Sequence, residues 1–253
     1  MENAQDKSNY KFGLVGKDIS YSFSRGYFKD KFKTENAPHS YVNFDLQSID
    51  ELSEIIETSS NLKGLNVTIP YKEQVIPLLD KLNKKAKAIG AVNTIRFTKN
   101  NKLVGYNTDF YGFKNSIKPH LKSHHKKALI LGTGGASKAI AYALKKLNIQ
   151  YDFVSRTKKE NVTFLYSDLN NVIISDYTII INCTPIGTFP NVDACPDIPY
   201  EAITKQHILY DLIYNPDQTK FLNQGYIKGA KTINGLEMLR LQAEKSWEIW
   251  NKV

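Results

Sequence analysis

The stretch "KKALILGTGGASKAIAYALKKLN", residues 126–148, decides the fold of this chain. It opens as a continuous apolar strand, breaks at a glycine-rich turn, and goes on as an amphipathic helix. A second strand, "YDFVSR" at 151–156, follows, and "YTIIIN" (177–182) and "HILYDLIY" (207–214) come after spacers of helix length. Strands that are apolar throughout and alternate with helices predict a parallel sheet covered on both faces. From about residue 120 onward the chain is expected to form a Rossmann-like domain.

In such a turn Gly132 permits the tight exit from the strand, while Gly134 and Gly135 let the backbone approach a pyrophosphate. The helix starting near Ala136 then aims its N–H groups and positive dipole at the phosphates. Ser137 stands where the usual fingerprint has a third glycine, and a glycine turn also serves as a plain strand-to-helix connection. The end of the second strand bears on which dinucleotide is bound. An NAD site carries an acid there, about 20 residues beyond the glycines. Here "SRTKK" (155–159) offers Arg156 with Lys158 or Lys159 to a 2′-phosphate, which points to NADP. The plain alternative is a solvated basic turn.

Toward the N-terminus, "YKFGLVG" (10–16) reads as a strand and "FSRGYFKDKF" (23–32) has the aromatic spacing of a helix. "YVNFDL" (41–46) and "LKGLNVTIP" (62–70) are strand-like, separated by the helix-like "IDELSEIIETSS" (49–60). "AVNTIRF" (91–97) and "KLVGY" (102–106) flank the turn "TKNN" and predict a hairpin. The expected architecture is α/β, a compact N-terminal α/β unit followed by the Rossmann-like domain.

A chain of 253 residues, 42% hydrophobic and 23% charged, has the composition of a globular protein with a substantial core. No apolar run approaches the roughly 20 residues that span a bilayer, and the start "MENAQDKSN" lacks the apolar segment of a secretory signal, so a cytoplasmic protein without a membrane partner is expected. Cys183 and Cys195 are too few for a disulfide framework, and the adjacent His124 and His125 suit a solvated loop better than a metal cage, so no metal is expected. The net charge of +9 comes from lysines spread along the chain with no nucleic-acid module, which reads as a basic surface attracting small anions.

Polar islands interrupt the N-terminal half. "NVTIPYKEQ" (66–74) reads as a strand entering a loop, with Asn66 and Thr68 on one face, Val67 and Ile69 on the other, Pro70 ending the ladder and Lys72 at the exit. "SYSFS" (20–24) puts Ser22 and Ser24 just after the first strand, "AVNT" supplies Asn93 and "YNTDF" (106–110) supplies Asp109. Each has a plain explanation: the serines and Asp109 could cap helices, and Asn93 could close a turn. Together they form a set of hydroxyls, an amide, a lysine and a carboxylate suited to a small polyhydroxy acid.

"SYSFS", "NVTIPYKE", "GAVNT", "GYNTDFYGF", "GTGGASKA", "SRT", "NCTPIG", "YDLIYNP" and "NGLEMLRLQA" occur in an order and spacing that resembles the shikimate dehydrogenase family, from about Tyr10 to Trp250. The resemblance implies reversible reduction of 3-dehydroshikimate to shikimate by NADPH, in the pathway toward chorismate and aromatic amino acids. By matching motifs it implies that Ser22 and Ser24 bind the substrate carboxylate and that Thr68, Asn93 and Asp109 contact ring hydroxyls. Tyr214 and Gln242 also fall on substrate-side positions. Gly132, Thr133, Gly134, Gly135, Ala136, Ser155, Arg156, Thr157, Lys158, Leu212 and Gly235 would line the cofactor. Lys72 becomes the proton donor to the developing alkoxide, with Asp109 orienting its ammonium. The implied organisation is a substrate-binding domain of residues 1–109, completed by 235–253, and an NADP-binding domain of 110–234, with the ligand cleft between them.

The final helix is expected to bury Leu236, Leu239, Ala243, Trp247 and Trp250 as a stripe, with Gln242 off it. Tyr21 and Arg25 stand where the family usually has histidine and proline, and Cys183, Thr188 and Ser155 also replace more usual neighbours. A quinate or shikimate dehydrogenase with relaxed choice of substrate or nucleotide is the near alternative, and a non-catalytic NADP-binding regulator the distant one. A monomer or homodimer acting on a small molecule fits either enzyme.

Overall fold

The structure, a computed structural model, describes residues 9–20 and 22–252, so Tyr21 lies outside the described residues. Contacts divide the chain into two compact units, one of residues up to Thr108 together with those from Ala243 onward, the other of Asp109–Gln242.

The first unit runs β1 (Lys11–Gly16), α1 (Phe23–Thr34), β2 (Ser40–Asp45), α2 (Leu52–Thr58), β3 (Leu62–Val67), β4 (Lys81–Leu82), α3 (Lys84–Ile89), β5 (Thr94–Phe97) and β6 (Leu103–Tyr106). Its six strands lie in the order β2-β1-β3-β5-β6-β4. β1 is parallel to β2 and β3, while β5 and β6 form the antiparallel hairpin that the turn at 98–101 predicts. Strand alternation splits the core into two layers. Val15, Leu65, Val67 and Ile95 face one cluster, and Phe12 and Leu14 face the other, where Phe28 and Phe32 of α1 meet Trp250.

The second unit runs α4 (Asp109–Ile117), β7 (Lys127–Leu131), α5 (Gly135–Lys146), β8 (Gln150–Ser155), β9 (Phe164–Leu165), α6 (Asn171–Asp176), β10 (Ile179–Asn182), β11 (Ile208–Asp211), α7 (Lys220–Ile227), β12 (Lys231–Ile233) and α8 (Leu236–Trp250). All the strand pairs are parallel and the order is β12-β11-β10-β7-β8-β9. Counted from β7 this is the doubly wound order of a dinucleotide-binding sheet, and the order reverses between β7 and β10. In sheets of this order, ligands bind outside the carboxyl ends of the strands at that reversal.

Helix α8 is shared, its residues through Gln242 counted with the second unit and those from Ala243 with the first. The stripe it buries differs from the expected one. Met238, Gln242, Ala243, Ser246, Ile249 and Trp250 are buried, whereas Leu236 is 41% exposed and Leu239 and Trp247 are half-buried. Gln242 therefore lies on the buried face. The reason is what the helix packs against. Asn66 and Thr94 present polar groups to it that Ser246 satisfies, and Gly64 leaves the gap filled by Trp250, whose ring atoms stand 2.3 Å from where a glycine Cβ would be.

Candidate active site

In the first unit three expected site residues gather at the carboxyl end of β3. The strand stops at Val67, and Thr68, half-exposed, donates its backbone N–H to Val15 at 2.8 Å. Tyr71 is buried and gives its hydroxyl to the Leu46 carbonyl at 2.7 Å, anchoring the turn that follows. Lys72 comes next with its side chain half-buried, and its carbonyl accepts from Val92 N at 2.7 Å, which ties it beside Asn93. Asn93 is buried. Its amide donates to Thr108 Oγ1 at 2.9 Å, and its oxygen accepts from Thr108 N at 2.6 Å.

Ser22 caps α1, accepting from Arg25 N at 3.3 Å, so the plain reading of that serine is realised. Ser24 is buried and its hydroxyl meets that of Tyr41, which burial keeps firmly protonated. Asn66 does not share a free face with Thr68. It is 3% exposed, accepts from Tyr41 Oη at 2.8 Å, and donates to the Asn93 carbonyl and to Ser246 Oγ, each at 3.1 Å. Ser246 is in turn 2.8 Å from Thr94 Oγ1 and 3.2 Å from Thr108 Oγ1. A buried polar seam thus runs from Ser24 through Tyr41 and Asn66 to Asn93. The motifs carry no signal for Tyr41 or Ser246, because Tyr41 reads as an ordinary strand residue and Ser246 stands between Glu244, Lys245 and Glu248, as a solvated helix residue would.

In the second unit the glycine turn follows β7. Gly132 has φ of +104°, a backbone that side chains avoid. Gly134 is the N-cap of α5 with no side chain to satisfy the helix N–H groups, and a Cβ there would meet nothing within 4 Å. The turn therefore has both the open space and the donors that a pyrophosphate needs. Ser137, in place of the third glycine, is buried and folds its hydroxyl onto the Gly134 carbonyl at 2.6 Å.

At the exit of β8, Ser155 is buried and receives Thr157 N at 3.4 Å, while Arg156, Thr157 and Lys158 are exposed. Lys159 reaches Thr133 Oγ1 at 3.0 Å, joining the basic loop to the glycine turn. Leu212 follows β11, and Gly235 gives its N–H to the Ile213 carbonyl at 3.0 Å. A Cβ on Gly235 would stand 2.1 Å from the Leu212 oxygen, so only glycine fits. Asp109 opens α4, where a helix dipole favours a carboxylate, and is 5% exposed. Gln242 is equally buried and donates to the Leu239 carbonyl at 3.0 Å. Tyr214 is half-exposed in the loop after β11. Among the described residues no cluster of His, Cys, Asp and Glu could hold a metal, and no helix is long and apolar enough to cross a membrane.

The strand order, the open glycine turn and the basic loop beside it define a dinucleotide-binding protein whose loop offers cations to an extra phosphate, and the other unit carries a lysine among hydroxyls and amides. Known proteins narrow this class. A family model described as the shikimate dehydrogenase substrate binding domain matches residues 14–95. A shikimate dehydrogenase (NADP(+)) of Methanosphaera stadtmanae is 38% identical, covering 94% of this chain and 90% of that protein. The solved shikimate dehydrogenase of Aquifex aeolicus is 33% identical with a TM-score of 0.85, covering 99% of this chain and 94% of its own. The Thermus thermophilus enzyme, solved with NADP(H) and shikimate, is 26% identical with a TM-score of 0.84 over 96% of this chain and 94% of its own. The chain belongs to the shikimate dehydrogenase family.

Proposed function

We propose that this chain is an NADP-dependent shikimate dehydrogenase that reversibly reduces 3-dehydroshikimate to shikimate, with Lys72 moving the proton. NADPH, when bound, supplies the hydride. As the carbonyl carbon is reduced, negative charge grows on its oxygen, and a positioned acid must deliver a proton there. The observation that carries the assignment of Lys72 is its place in the turn. The buried Tyr71 fixes the backbone on one side and the 2.7 Å bond from Val92 fixes it on the other, so the ammonium starts from a rigid base beside Asn93.

In this reading Ser22 and Ser24 hold the substrate carboxylate, and Thr68, Asn93 and Asp109 hold ring hydroxyls. Tyr214 and Gln242 complete the substrate contacts. Gly132, Thr133, Gly134, Gly135 and Ala136 cradle the pyrophosphate, Ser155, Arg156, Thr157 and Lys158 take the phosphorylated ribose, and Leu212 and Gly235 line the remainder. The substrate-binding role falls to residues 1–109 with 235–253 and the NADP-binding role to 110–234. The product feeds chorismate and aromatic amino acid synthesis, and the chain works in the cytoplasm on a small molecule, as a monomer or homodimer without nucleic acid or membrane.

The test is a steady-state comparison of purified protein with shikimate or quinate and with NADP or NAD, followed by the absorbance of the reduced nucleotide. Shikimate with NADP is expected to give the highest kcat/KM. Comparable values with NAD defeat the nucleotide assignment, comparable values with quinate defeat the narrow substrate, and no turnover with any pair defeats the function.

A further inference from the structure

Two polar side chains end neighbouring apolar strands of the second unit. Asn182 closes β10 and Asp211 closes β11, paired in register and each 0% exposed. The carboxylate has no cation among the partners that the structure gives it. Asp211 Oδ1 accepts from Asn182 Nδ2 and from Ile213 N, each at 3.1 Å, and Oδ2 accepts from Thr219 Oγ1 at 2.6 Å. Asn182 in turn accepts from the Thr184 N–H at 3.0 Å and hydroxyl at 2.6 Å, and donates to the Ile186 carbonyl at 3.2 Å. The titratable groups facing the carboxylate are the Cys183 thiol and the Tyr200 hydroxyl, both held neutral by burial, and Lys220 of α7 is exposed.

An apolar side chain at the end of β11 would pack without the cost of desolvating a carboxylate. What the carboxylate adds is acceptor geometry. Two oxygens take donors from β10, from the loop after β11 and from Thr219, which caps α7 through Leu222 N. The loops fixed in this way abut the glycines already assigned to the cofactor. Thr184 Cγ2 would lie 3.1 Å from a Cβ on Gly132, and the Leu212 carbonyl stands against Gly235.

We propose that Asp211 is a positioning residue for the nucleotide, its buried carboxylate clamping with Asn182 the loops after β10 and β11 into the shape that receives NADP; this rests on the function proposed above. The ionised form accepts all three donors, whereas protonation converts one oxygen from acceptor to donor and slackens the clamp. Burial outweighs the hydrogen bonds and pushes this carboxyl up to about 6, so the change falls in an accessible range of pH.

The experiment measures KM for NADP and calorimetric NADP affinity for the wild type and Asp211→Asn between pH 5 and 8. The nucleotide's own phosphate titrates alike with both proteins, so the ratio of their KM values isolates Asp211. At pH 8 the variant is expected to need at least tenfold more NADP at nearly unchanged kcat, and the ratio is expected to fall toward one below about pH 6, as the wild type loses its clamp. A ratio near one throughout, or a raised ratio that does not change with pH, overturns the proposal. Should Asp211→Asn fail to fold, Thr219→Val replaces it with the same expected weakening, and Thr219→Ser must restore affinity; equal affinity in Val and Ser variants overturns it. Wild-type protein inactive with shikimate and NADP refutes the function itself, while calorimetry still reads the Asp211 contribution.

Discussion

Replacing Asn66 with alanine separates a residue that holds the fold from one that holds a ligand. In the structure its amide makes three well-formed bonds, to Tyr41 Oη at 2.8 Å, the Asn93 carbonyl at 3.1 Å and Ser246 Oγ at 3.1 Å, with a longer contact to Thr94 Oγ1 at 3.4 Å. At about 1 kcal/mol net for each good bond, and more where a buried partner is stranded, the loss comes to about 3–4 kcal/mol. For a chain of this size that corresponds to a fall in Tm of about 6–16 °C. Urea unfolding followed by tryptophan fluorescence reads it directly, because the only tryptophans are Trp247 and Trp250, both in α8, the helix that Asn66 bonds through Ser246. Tyr41→Phe should cost about 1 kcal/mol, and the double variant should cost less than the sum of the two single losses by about 0.5 kcal/mol or more. A loss below about 1 kcal/mol in Asn66→Ala, together with a raised KM for shikimate, would falsify the seam and return Asn66 to the ligand.

Lys72→Ala should lower kcat by about 10² to 10⁴ while NADP affinity holds, as expected of a proton-transfer group, and near-normal turnover would remove its role. Arg156→Gln should raise KM for NADP about tenfold or more while that for NAD barely moves, since a charge-assisted bond to the extra phosphate contributes about 1.5–3 kcal/mol; equal losses would mean that it only supports the loop. The buried Asp211 also gives stability a pH signature. Its carboxyl is raised from 3.8 to about 6, so the folded state binds the proton more tightly, and this contribution is full below about pH 4 and lost as pH rises through about 6. The urea-measured stability of the wild type relative to Asp211→Asn should therefore fall by roughly 3 kcal/mol between pH 4 and pH 8; an unchanged difference refutes the shift.

The Rossmann-like unit is legible because its signals are local. A buried parallel strand is apolar throughout, a glycine turn needs glycine at Gly132, and an amphipathic helix follows, all within 23 consecutive residues. The hairpin at β5 and β6 and the aromatic face of α1 are legible for the same reason. The final helix departs from its expected stripe because hydrophobicity alone does not choose its buried face. Leu236 has the character of core and is exposed, whereas Gln242 and Ser246 have the character of surface and are buried. The deciding partners, Asn66, Thr94 and Thr108, lie 138 to 180 residues away from Ser246 in the chain.

Asn182 and Asp211 follow the same rule: Asn182 is visible as a polar residue ending the run "YTIIIN" and Asp211 as one interrupting "HILYDLIY", but their partnership exists only once β10 and β11 are neighbours in register. Sequence alone was enough for the longer strands, the glycine turn with its helix, the hairpin and the chemistry available at the strand ends, since these depend on backbone preference and burial along a short stretch; the short β4, α3 and β9 carry no such local signal. The tertiary structure alone decided which polar groups satisfy one another and which remain to meet a ligand, because a buried hydrogen bond is fixed by distances in space that no local pattern records.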